Sequence, residues 1–301
     1  MMGIDSNETT LSRSQSVLNF GDGVLVYLQF AKVGSGSLRM LMNRWAGRYR
    51  MYPSLSVNSH LRNGSIEAPG RWPSHYPYVV QSKYGFCNVF WQKRPCTYFT
   101  LLRHPVARLK SAFDYFCRSC AENGRYCNNA ANLVSRSGER CPNMSLLNFA
   151  HLEGNMYTHE LSGAFACGPC NLRSTSEADL YNLACDDGAL PIREYEMLSV
   201  AKTHLEAHVF PLILEELNLR ALHAHLGYSS HMDMAGYEFP VKTHHPGGPS
   251  TSPANIDIIE LQLLESILSL DMALYNYARG LAQRWSERLS VPPMSHKRRA
   301  T

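Results

Sequence analysis

The sequence predicts an α/β fold, a parallel sheet flanked by helices on both faces, with long loops and a C-terminal helix. Three observations carry that expectation. An apolar run, Val24 to Phe30, passes through a Gly/Ser turn into a helical pattern, Leu38, Leu41, Met42 and Trp45. A second run, Thr97 to Leu102, is apolar, β-branched and aromatic; Arg103-His104-Pro105 ends it, and Val106, Leu109, Phe113 and Phe116 follow at helical intervals. Strand candidates alternate with helix candidates along the chain, which is the pattern of a parallel sheet covered on both sides.

Composition bounds the rest. The 301 residues are 45% hydrophobic and 18% charged, enough for a sizeable core. A net charge of +4 suits an anionic cofactor or an acidic acceptor and does not call for nucleic acid. No run of about 18 apolar residues is present, so no membrane span is expected. Met1 to Asn19 is polar and lacks the apolar segment of a signal peptide. The expected organisation is a flexible tail at 1–19, a single domain at 20–288 with a cysteine-rich insertion at about 117–145, and a basic, disordered tail at 289–301.

Nine cysteines are present, seven of them between Cys117 and Cys185. Cys117-Arg118-Ser119-Cys120 and Cys167-Gly168-Pro169-Cys170 are spaced like two halves of a zinc site; the competing readings are disulfides, which are preferred, and free buried thiols. Sequons at Asn7, Asn63 and Asn143 favour disulfides in an oxidising compartment, so no metal site is expected. An odd count leaves at least one thiol without a partner in the chain.

In order, Val24 to Phe30 reads as a strand and Ser37 to about Tyr49 as a helix. Residues 50–78, rich in Pro, Ser, Asn and Gly, read as a long loop. Tyr78 to Val80 is a short strand candidate, Thr97 to Leu102 a buried one. Pro105 suits the first turn of the next helix. Leu146 to His151, Asn155 to Leu161 and Ala178 to Ala184 read as short helices, and Glu194 to Ala207 as an amphipathic one. Val209 to Leu214 is a buried strand whose Pro211 argues for an edge. Glu215 to Leu226 reads as a helix closed by Gly227. Ile256 to Arg288 reads as a long amphipathic helix broken near Gly280.

Two devices on this frame suit anions. The first is Lys32-Val33-Gly34-Ser35-Gly36-Ser37-Leu38, a P-loop-like strand–turn–helix that presents backbone N–H groups and a helix N-terminus to one anion. It departs from the nucleotide-triphosphatase loop, in which the lysine follows the glycines. The second is Arg103, at the carboxyl end of a buried strand, with Ser111 on the helix beyond it. Ligands of open parallel sheets bind at the carboxyl ends of the strands, so the two devices suggest a ligand with two separated phosphate-like groups. Each alone also reads as ordinary structure, glycines for turn geometry and Arg103 paired with a carboxylate.

These segments carry a resemblance. Phe30 to Leu38 resembles the 5′-phosphosulfate loop of Golgi carbohydrate sulfotransferases, and Tyr98 to Phe113 resembles their 3′-phosphate motif. Asn155-Met156-Tyr157-Thr158-His159-Glu160-Leu161 is similar to the Asn-x-x-Thr-Arg-x-Leu segment of the heparan-sulfate 2-O and 6-O branch, with His159 in place of arginine. Ala201 to Glu206 and Leu270 to Ala278 resemble later helices of the same branch.

The resemblance implies 3′-phosphoadenylyl sulfate (PAPS) as co-substrate, no metal, and sulfuryl transfer to a hydroxyl or amine of a glycan or glycosaminoglycan acceptor. It implies that Val33, Gly34, Ser35, Gly36, Ser37 and Leu38 bind the 5′-phosphosulfate, with Lys32 both binding it and acting catalytically. Arg103 and Ser111 would hold the 3′-phosphate, and Lys242 and Thr243 would cover the cofactor. Family members often carry a histidine base where this chain has Gln81; His75 is the replacement candidate, followed by His60 and Glu67. They are usually Golgi-lumenal and anchored by an N-terminal span. The span is not seen here, which implies an incomplete or processed form or a soluble lumenal protein. The competing readings are a non-catalytic protein of the same fold that binds nucleotide or glycan, and a P-loop nucleotide kinase or phosphatase.

Overall fold

The computed structural model describes residues 24–30, 32–48, 52–56, 78–82, 96–118, 144–162, 194–225 and 257–288. Its strands are Val24–Leu28 (β1), Tyr52–Ser56 (β2), Tyr78–Ser82 (β3), Cys96–Leu102 (β4) and Val209–Ile213 (β5). They form one open sheet in the order β2-β3-β1-β4-β5, parallel throughout. Along β1, Leu25 and Tyr27 point to one face and Val26 and Leu28 to the other, and none is more than 1% exposed. Both faces are therefore covered at the sheet's centre, as the uninterrupted apolar run requires.

The helices are Ser35–Arg48 (α1), Pro105–Phe113 (α2), Leu146–Glu153 (α3), Met156–Leu161 (α4), Glu194–His208 (α5), Leu219–His225 (α6), Ile258–Ile267 (α7) and Ser269–Arg288 (α8). The sheet, α1, α4, α5 and α8 share the main core, which includes Phe30, Leu38, Met42, Phe99, Tyr157, Leu205, Phe210 and Leu274. A second cluster joins α2, α3 and α7 through Leu109, Phe113, Phe149, Leu264 and Leu268. The expected α/β class and its parallel sheet are present. None of the described helices is long and apolar enough to cross a membrane.

Four expectations need correction. Residues 50–78 are not all loop, because β2 lies within them; Pro53 and two serines disguise it. An edge strand tolerates a proline, and the register of β2 against β3 shifts between Tyr52 and Leu55. Pro211 lies on the opposite edge, in β5, as expected. The first helix begins at Ser35, two residues early, so it takes in part of the glycine turn. The helix expected from Glu215 is a 3₁₀ turn, Leu214–Glu216, followed by α6, whose N-terminus Asn218 caps by accepting from the Ala221 N–H at 3.1 Å. Gly227 lies outside the described residues, as do 1–19, 178–184 and 289–301.

The fourth correction concerns the C-terminal helix, which breaks at Leu268 and runs unbroken through Gly280. The cause is a side-chain amide inserted into the helical ladder. Asn155 Nδ2 donates to the Ile267 carbonyl at 2.9 Å, and Asn155 Oδ1 accepts from the Asp271 N–H at 3.0 Å. Those are the two groups that an unbroken helix would have joined to each other.

Asp271 returns the contact. Its carboxylate accepts from the N–H groups of Tyr157 and Thr158, at 3.2 and 2.9 Å, and from the Thr158 hydroxyl at 2.9 Å. A buried carboxylate thus closes the N-terminus of α4. Burial pushes its proton affinity up, while Arg108 and these donors pull it down. Arg108 is itself fully buried, donating to the Glu153 carbonyl at 2.8 Å and standing 5.6 Å from the Tyr157 ring centre. Two segments more than 100 residues apart are thereby locked together.

Candidate functional site

β1 lies between β3 and β4, and the chain leaves it toward β2 and β3 before returning to add β4 and β5 on its other side. The carboxyl ends of β1 and β4 are therefore the switch point where an open α/β sheet forms a crevice. The Thr100 hydroxyl ties the two ends together by donating to the Leu28 carbonyl at 2.9 Å.

The turn after β1 has an unusual backbone. Lys32 is left-handed, with φ of 67°, and so is Gly34, with φ of 86°. A lysine there costs roughly 1 kcal/mol relative to its relaxed backbone, and such strain gathers at functional sites. Val33 between them is fully buried, which pins the turn. The Gly34 carbonyl accepts from the N–H groups of Ser37 and Leu38, at 3.1 and 3.2 Å, starting α1 directly from the turn. The N–H groups of Ser35 and Gly36 then fall in the first turn of a helix, where no intrahelical acceptor exists.

Gly36 is exposed, and a Cβ added to it would meet nothing within 4 Å. Packing does not require glycine there. Gly36→Ala is expected to leave the melting temperature unchanged or slightly raised, since alanine is favoured over glycine in helices by up to about 1 kcal/mol. On the expectation that this turn holds an anion, the same change should weaken anion binding at least about tenfold by filling the space over the turn. Thermal unfolding and calorimetric titration of one preparation check both halves.

Arg103 leaves the end of β4 and reaches back over this turn, where its Nη1 donates to the Lys32 carbonyl at 3.3 Å. The two devices read from the sequence thus meet on one rim, and they are closer together than two separated cradles. The Lys32 ammonium lies over the Tyr115 ring, 3.8 Å from its centre. Burial, with Arg103 as the next cause, pushes the Lys32 pKa down to about 8, and Asp114 partly offsets this. Asp114 and Tyr115 belong to a π-helical turn, Asp114–Arg118, that continues α2.

A cation pushed down in this way predicts a pH dependence. Above about pH 8 the free site loses its ammonium, so affinity for a phosphate or sulfate group should fall. An anion favours the charged form, so binding near pH 8 should take up a proton. Titrations in two buffers of different ionisation enthalpy measure that uptake. The folding sign is the opposite. A lysine with a folded pKa below its unfolded one makes the ligand-free chain more stable as pH rises from about 8 toward 10.5.

The Arg103–His104 corner is held from two sides. The Tyr157 hydroxyl accepts from the Arg103 N–H at 3.2 Å and donates to the Arg103 carbonyl at 3.0 Å. Glu215, just after β5, accepts from the His104 N–H at 3.0 Å and from the Tyr275 hydroxyl at 3.0 Å. Tyr157 is fully buried, and its ring meets Phe30 edge-on, with centroids 4.7 Å apart.

Ser111 lies half-buried near the end of α2, and among the described residues nothing joins it to the Lys32–Arg103 pair. Position 81 lies on β3 opposite Tyr27, beside the strand that carries the turn. His75, His60, Glu67, Lys242 and Thr243 lie outside the described residues. Cys117, buried at the end of the π turn, is disulfide-bonded. Sequence reading missed Asp114, Tyr115, Glu215 and the hydroxyl of Tyr157. Tyr157 stood inside a recognised segment, but nothing in the spacing said what it touches.

No protein-family model matches the chain, and no curated protein matches it.

Proposed function

We propose that the chain is a PAPS-dependent carbohydrate sulfotransferase with a P-loop-like fold, acting on a hydroxyl or amine of a glycan or glycosaminoglycan in the Golgi lumen. One observation carries the reading: Arg103 reaches the Lys32 turn at the switch point of a parallel sheet. The surroundings suit an anionic nucleotide: the Arg103 guanidinium lies against the backbone of the Lys32 turn, helix N–H groups are present, and there is open space over Gly36.

In this reading the N–H groups of Val33 to Leu38, with the hydroxyls of Ser35 and Ser37, hold the 5′ end. Lys32 offsets charge on the leaving phosphate oxygen. Arg103 holds the 3′-phosphate, Ser111 is assigned to the same phosphate from farther along α2, and Lys242 and Thr243 are assigned to cover the nucleotide. PAPS supplies the sulfuryl group: its S–O bond to phosphate breaks, an S–O bond to an acceptor hydroxyl or an S–N bond to an acceptor amine forms, and the acceptor proton goes to a base. Gln81 takes no proton at neutral pH, so the base is assigned to His75.

Gln81 also favours a second reading, a sulfotransferase-like protein that binds nucleotide or glycan without catalysis. Incubating the chain with radiolabelled PAPS and a panel of glycosaminoglycan and galactosyl acceptors, without added metal, separates the two. Label on an acceptor supports the enzyme. Nucleotide binding without transfer to any acceptor supports the second reading.

A further inference from the structure

We infer that Tyr157 and Glu215 are positioning residues for the arginine that reads the 3′-phosphate, and that Asp271 makes the last helix part of that recognition. The inference rests on the reading of Arg103 given above and adds residues to which that reading assigns no role.

A guanidinium can discriminate a phosphate only if its backbone is fixed, because a long side chain on a loose corner finds many geometries. Arg103 lies just past the end of β4, where ladder bonds no longer hold the chain. The Tyr157 hydroxyl takes over that task by engaging both the N–H and the carbonyl of the same residue. Glu215 holds the next N–H, that of His104. The corner is thus braced from α4 on one side and from the end of β5 on the other.

Tyr157 is itself fixed. Its ring is buried against Phe30, two residues before Lys32, and its N–H is held by Asp271 of α8. Asn155, at the start of α4, is bonded into the break before α8. A continuous set of contacts therefore runs from the C-terminal helix through α4 to the backbone of Arg103.

A merely structural role would change affinity for every ligand of the site alike. A positioning role changes only the part that Arg103 reads. The test is calorimetric titration with adenosine 3′,5′-bisphosphate and with adenosine 5′-phosphate, which lacks the 3′ group. Tyr157→Phe keeps the ring and removes the hydroxyl. It should weaken bisphosphate binding about tenfold or more while adenosine 5′-phosphate stays within about twofold.

Glu215 is exposed, so Glu215→Ala tests the second brace even if Tyr157→Phe does not fold. It should lower the same affinity ratio about threefold. An unchanged ratio in the folded variants, or equal loss for both nucleotides, overturns the inference and leaves the nucleotide reading standing. A wild-type chain that does not prefer the bisphosphate overturns the 3′-phosphate reading and this inference with it.

Discussion

Lys32→Ala is expected to reduce sulfuryl transfer by a factor on the order of 10³ while the chain stays folded. The ammonium belongs to the turn that would hold the phosphosulfate; it is partly buried over the Tyr115 ring and feels the charge of Arg103. A partly desolvated charge aimed at a developing negative charge acts far more strongly than the same charge in water. Folding should change little. Alanine adopts the same left-handed backbone at similar cost, and the lost contacts are those of the ammonium with the Tyr115 ring. Steady-state transfer rates and thermal unfolding of the variant check the two halves. Full activity with Lys32 removed would dismiss the turn as the catalytic element.

The second large effect belongs to Arg103. Arg103→Ala should weaken binding of adenosine 3′,5′-bisphosphate about 30- to 100-fold, the loss of a charge-assisted contact of about 2–3 kcal/mol. The cost to stability should be near 1 kcal/mol, since one hydrogen bond to the Lys32 carbonyl goes with it. A further consequence separates this from simple damage. Arg103 is the second cause of the depressed Lys32 pKa, so its removal should move the alkaline loss of binding above pH 8. A pH series of affinities on the variant measures that shift. An unmoved profile would mean that the two cations do not share one site.

The sequence carried the strands and the turn because their signals are local. The runs at Val24 and Thr97 are buried on both faces and read as continuous apolar stretches. Pro211 announced an edge because a proline cannot donate to a ladder. β2 was hidden for the same reason, its Pro53 and serines being tolerated on an edge strand whose register shifts. The break at Leu268 was not legible, because its cause, Asn155, lies 113 residues away. Gly280 drew attention instead, since a glycine weakens an isolated helix, yet packing of α8 overrides it.

The site divides in the same way. Lys32, Gly34 and Arg103 stood out by residue type at strand ends, and the fold brings them to one rim. What holds them did not stand out. Tyr157, Glu215 and Asp271 act through backbone groups of other elements, and such contacts leave no spacing pattern in the chain. Asp114 and Tyr115 reach Lys32 from a π-helical turn, a local irregularity that α-helical periodicity does not predict.

The most direct test is a crystal structure of the chain with adenosine 3′,5′-bisphosphate. The account predicts the 5′-phosphate seated on the turn from Lys32 to Leu38 and the 3′-phosphate within about 3 Å of the Arg103 guanidinium. A nucleotide bound elsewhere, or one whose 3′-phosphate faces away from Arg103, would contradict it.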